Sequence, residues 1–60
     1  MLTAAELDVA RCASAGMSNG AIARLRRTSI RTVANQIASI LGKLGVGSRT
    51  ELATSPELLA

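Results

Sequence analysis

The side chains with the most evident chemistry lie in residues 18–44. Arg24, Arg26, Arg27 and Arg31 fall within eight consecutive positions. Asn35 and Ser39 follow at the spacing of one helical face, with the small residues Ala38 and Gly42 beside them. A guanidinium carries a fixed charge and a fork of donors that fits phosphate. A carboxamide can bond adenine N6 and N7 together. Small side chains let a helix backbone approach a groove closely. These are tools for holding the backbone of duplex DNA and touching base edges in its major groove. The expected roles divide accordingly. Arginines such as Arg27 anchor to phosphates without specifying sequence, whereas Asn35 and Arg31 read bases. Ala34 and Ala38 can meet thymine methyl groups.

Other chemistries lack the residues they need. The chain has no His, and Cys12 is its one cysteine. Cys12 has no base partner, no two acids are placed on one face, and the usual zinc spacings are missing. No catalytic residue, metal or cofactor is expected, and Cys12 reads as a small core residue. Single-stranded nucleic acid is gripped by stacking bases on aromatic rings, and this sequence has no Phe, Tyr or Trp. Net charge is +3. Its placement says more than its size: Glu6, Asp8, Glu51 and Glu57 sit near the ends, and residues 9–50 hold no acid. No apolar run approaches the roughly 20 residues that span a bilayer. No signal peptide is visible, since Met1-Leu2 runs straight into a helix cap. The expected location is the cytoplasm.

The elements that must position these residues are helices. Residues 1–60 make one small all-α domain with an aliphatic core, marginal in stability at this size. Thr3-Ala4-Ala5-Glu6 is a capping box, which predicts a first helix over 4–15 with Val9, Cys12 and Ala13 inward and Leu2 as a staple. Gly16 suits the left-handed position after it. Ser18 caps a second helix over 19–26, with Ile22 and Ala23 inward and Gly20 weakening it. Arg26-Arg27-Thr28 forms a turn. Ser29 caps a third helix over 30–44, whose apolar residues at 30, 33, 37, 40, 41 and 44 make one buried stripe. At 100° per residue, Arg31, Asn35, Ala38, Ser39 and Gly42 point the other way. Thr32, Gln36 and Lys43 lie on one flank and Ala34 on the other. Gly45 ends this helix. A second capping box, Ser48-Arg49-Thr50-Glu51, starts a fourth helix over 49–54, with Leu52 inward; Pro56 ends or redirects it. Leu58 and Leu59 follow and either pack or fray.

Five segments in this order resemble the LuxR-type (GerE-like) helix-turn-helix domain. They are Leu2-Thr3-x-x-Glu6, Gly16-Met17-Ser18-Asn19, Ile22-Ala23, Ser29-x-x-Thr32-Val33, and Lys43-Leu44-Gly45-Val46-x-Ser48-Arg49-Thr50-Glu51-Leu52. Each alone is weak; together, ungapped over residues 2 to about 54, they form a strong signal. The resemblance implies four helices, with the second and third as the DNA-binding pair, in a bacterial transcription regulator that binds inverted half-sites as a homodimer through the fourth helix. It also implies a receiver or ligand-sensing domain, absent from this chain. Base or groove contacts are implied at Ala34, Asn35 and Ala38, with Arg31 nearby. Phosphate contacts are implied around Ser29, Thr32 and Lys43, with Asn19 near the second helix, and a dimer surface at Arg49, Thr50 and Ala53. Glu6 matches an acid that helps fix the first helix.

The chain departs from that pattern at Arg26, Arg27 and Thr28, where many members carry Leu, Gly and Ile, and at Gln36, where His is usual. Ala10 replaces a common Leu, which thins the core. Arg26 can therefore lay its stem on the core and leave the DNA side. Two rival readings are a helical protein-interaction module without DNA binding and a helix-turn-helix of the sigma-factor region-four type. The segment from Lys43 to Leu52 favours the LuxR type over the latter.

Overall fold

The computed structural model describes residues 2–56, and within them every regular element is a helix: α1 (Ala4–Ser14), α2 (Asn19–Arg26), α3 (Ile30–Leu44) and α4 (Arg49–Leu52). The readings made for Met1, Glu57, Leu58 and Leu59 lie outside the described residues.

The helix starts follow from hydroxyl caps. Thr3 Oγ1 accepts from the Glu6 N–H at 3.1 Å, and a Glu6 carboxylate oxygen accepts from the Thr3 N–H at 3.0 Å, so the first capping box is complete. Ser18 and Ser29 cap α2 and α3 by accepting from the N–H groups of Ala21 and Thr32. The fourth start differs from its expected form. Ser48 Oγ accepts from the Glu51 N–H, but the Glu51 carboxylate bonds the N–H of Gly47, one residue before the cap.

Three helices end alike. A residue in the left-handed region turns the chain, and the next N–H reaches back five residues: Met17 to Cys12, Thr28 to Ala23, Val46 to Leu41. After α1 and α3 the turning residue is glycine, Gly16 or Gly45. After α2 it is Arg27, at φ 55° and ψ 49°. Helix α4 stops at Leu52, two residues short of the expected end. The Thr54 N–H and hydroxyl both bond the Glu51 carbonyl, which tightens the last turn and closes the helix before Pro56.

The core is a small aliphatic cluster: Val9, Ala10, Ala13, Ile22, Ala23, Val33, Ile37, Ile40 and Leu52 are buried. Leu2, Cys12, Met17, Leu41 and Leu44 pack against it while partly exposed. Ile30 departs from the predicted stripe, since 59% of it is exposed. It is the first residue of α3 and overhangs the core's edge beside Gly20. An ideal Cβ on Gly20 would lie 3.8 Å from Ile30 Cδ1, so glycine leaves that flank uncovered. Ala10, seen in the sequence as a thinning of the core, is fully buried.

Candidate nucleic-acid interface

The face of α3 opposite the buried stripe carries Arg31, Asn35, Ala38, Ser39 and Gly42, with Ala34 on its flank, all exposed. The helix is held by Val33, Ile37 and Ile40, so this outer face is left for contact with something else. No bulky apolar side chain stands on it. The segment before α3 brings Arg27 and Ser29 to the same end of the helix, and α2 precedes it as the supporting helix.

The cations sort by their partners. Arg26 Nη1 lies 3.5 Å from Asp8 Oδ2, so Arg26 turns toward α1 and leaves the arginine cluster. That pair is open to water and adds little stability. Lys43 Nζ lies 2.8 Å from each carboxylate oxygen of Glu6. Arg49, expected on a dimer surface, points inward to α2, where Nη1 donates to Asn19 Oδ1 at 2.9 Å and Nη2 donates to the Met17 carbonyl. Arg24, Arg27 and Arg31 are exposed, with no carboxylate partner among the described residues. Arg24 belongs to the basic cluster expected at phosphates, although it was not singled out as a contact residue. Its signal was simply its place in that cluster, two residues before Arg26.

Helix ends add to this field. Neither α2 nor α3 has an acid in its first turn, whereas α1 and α4 each have one. The positive ends of α2 and α3 are thus left uncancelled, which favours an anion near them. The hydroxyls expected at phosphates are partly engaged. Ser29 Oγ caps α3 and lies 2.9 Å from Thr32 Oγ1, so these two hydroxyls share a hydrogen.

A groove separates the start of α1 from the flank of α3, with Thr3 and Glu6 on one bank and Thr32, Gln36 and Lys43 on the other. Glu6 is its central acid. The Lys43 ammonium, and after it the Thr3 N–H, hold the Glu6 carboxyl down at about 2 from its ordinary 4.5. One carboxylate therefore caps α1 and ties it to the far end of α3. The side-chain oxygen of Gln36 is enclosed here without a hydrogen-bond partner. Of the three residues expected to dimerise, Thr50 and Ala53 are exposed and Arg49 is half-buried. No group of three or more His, Cys, Asp or Glu among the described residues is placed to hold a metal ion. No helix among them is long and apolar enough to cross a membrane.

A capped supporting helix, a basic turn and an amphipathic helix with a small polar outer face define a helix-turn-helix domain of the DNA-binding class. The model of one family, bacterial regulatory proteins of the luxR family (GerE), matches residues 1–55, and the chain belongs to that family. The family is one of DNA-binding domains of transcription regulation, not an enzyme family. No curated protein and no solved structure matches the chain.

Proposed function

We propose that the chain reads double-stranded DNA in a sequence-specific way, with α3 in the major groove. Arg27, Asn19, Ser29 and Thr32 meet phosphates around the ends of α2 and α3. Asn35, with Arg31, reads base edges, and Ala34, Ala38 and Ser39 line the approach. Lys43 adds least to the phosphate grip, because Glu6 already neutralises its charge. The observation that carries the reading is the exposed, small, polar face of α3 beside three arginines without a carboxylate partner among the described residues and two acid-free helix ends. Backbone contacts and DNA shape then supply much of the specificity, since few side chains on this face can address bases. We further propose that the domain acts in the cytoplasm as a homodimer on inverted half-sites, with Thr50 and Ala53 of α4 at the contact, under control of a receiver or sensor domain.

Selection of bound fragments from a random duplex pool tests this. The expected result is an enriched half-site, repeated with inverted symmetry. Asn35→Ala should relax the preference at one base position by about 1–3 kcal/mol of discrimination. An unenriched pool refutes sequence-specific reading, and a single unpaired half-site refutes the dimer. A protein-interaction module is the second reading, favoured by Leu25, which is 65% exposed on α2, together with Ile30. Salt-dependent duplex binding at micromolar strength excludes it.

A further inference from the structure

Arg49 begins α4, yet its guanidinium grips the start of α2. It donates to Asn19 Oδ1 and to the Met17 carbonyl, thirty and thirty-two residues away in sequence. Arginine offers donors and no acceptor. The Asn19 atom facing it must therefore be the carbonyl oxygen, so chemistry fixes which way the amide is turned. The two Nδ2 hydrogens lie on the other side, and among the described residues they have no partner. Asn19 is the first residue of α2, half-buried, in a helix turn without an acid. The bond to the Met17 carbonyl holds the chain entering α2, so Arg49 sets both the backbone and the side-chain rotation of Asn19.

We infer that Arg49 is a positioning residue for DNA binding, holding the Asn19 amide with its N–H donors turned out to a backbone phosphate without itself touching DNA. This rests on the DNA-binding reading above. It moves Arg49 from the dimer surface to the DNA-binding apparatus. It also makes α4 the brace of the α2 N-terminus, so a shift of α4 misaligns a donor on a different helix.

The test is a double-mutant cycle on the duplex recovered by selection, measured between about 50 and 200 mM salt with the melting temperature of each variant. Asn19→Ala and Arg49→Ala should each weaken binding about threefold to tenfold, the worth of one hydrogen bond. The double variant should be no weaker than the weaker single. Arg49→Ala should leave the slope of affinity against salt unchanged, because no phosphate loses a cation. Asn19→Asp keeps the tie to Arg49 as an ion pair and offers phosphate no donor. It should melt no lower than the parent and bind at least about tenfold more weakly. If Arg49→Ala does not fold, Arg49→Lys replaces it in the cycle, because one ammonium cannot hold both partners in the fork geometry; Asn19→Ala should then cost less in that background than in the parent. Additive losses, a slope lowered by about 0.9 in Arg49→Ala, or parental binding by Asn19→Asp overturns the inference. Failure of the parent to bind any duplex refutes the DNA-binding reading instead, so the two failures are distinct.

Discussion

Arg27 is the one non-glycine residue with positive φ among the described residues, and it stands where the chain turns from α2 into α3. The left-handed conformation costs an L-residue about 1–2 kcal/mol through the contact of Cβ with the following carbonyl. Glycine escapes that contact but loses about 0.5–1 kcal/mol more backbone entropy on folding. With the middle of each range, the balance for Arg27→Gly is a gain of about 0.75 kcal/mol. For a domain this small each kcal/mol is worth about 4–8 °C, so the melting temperature should rise by about 3–6 °C. The control is Arg27→Ala, which removes the same charge but keeps a Cβ. It should melt near the parent, so the difference between the two variants isolates the backbone. Both should bind duplex DNA more weakly across all sequences, with a salt slope reduced by about 0.9 through loss of one phosphate contact. Circular dichroism melts and fluorescence anisotropy with labelled duplex measure the two effects. If Arg27→Gly melts no higher than Arg27→Ala, the left-handed turn carries no strain and the reasoning is wrong. If the slopes stay parental, Arg27 does not face a phosphate, and the strain has no functional return.

Three further outcomes are expected. Because the Glu6 carboxyl sits near 2 in the folded protein and near 4.5 otherwise, its stabilisation is complete above about pH 4.5 and is lost as pH falls toward 2. Glu6→Gln should therefore narrow the stability gap to the parent over that acid window; a gap equally wide at pH 6 and pH 2.5 in urea titrations contradicts this. An ideal Cβ on Gly42 meets nothing within 4 Å, so Gly42→Ala should stabilise α3 by up to about 1 kcal/mol, and a lower melting temperature would count against its geometry. Leu52 is fully buried although α4 has only four residues. Leu52→Ala should cost about 2–5 kcal/mol, comparable to what a core this small supplies, and leave the helical dichroism largely lost at 25 °C.

The local rules were readable from the sequence. Thr3, Ser18, Ser29 and Ser48 each sit at a helix start because a hydroxyl there meets a free N–H, and that information lies within three residues. Gly16 and Gly45 mark ends for an equally local reason. The outward set on α3 followed from period alone, and all five of its members are exposed. Periodicity failed at Ile30 because angle says which way a side chain points, not whether anything stands opposite; Gly20 leaves its flank bare. It was also silent on the cross-links. Glu6–Lys43, Asp8–Arg26 and Asn19–Arg49 join positions 37, 18 and 30 residues apart, and no spacing rule connects such pairs. Those links decide which cations are free. The resemblance named Lys43 and Arg49 as contact residues, but only folded geometry reveals what else they touch.

The outer face of α3 has a further consequence for how such a protein can change. None of the hydrogen bonds or ion pairs among the described residues uses the side chains of Arg31, Ala34, Asn35, Ala38 or Ser39. Replacements at exposed positions of this kind usually move stability by less than about 0.5 kcal/mol. The surface proposed to meet DNA is therefore nearly independent of the parts that keep the domain folded. If α3 reads DNA as proposed, a lineage can rewrite that reading one position at a time, drifting from one target to another through intermediates that all remain folded.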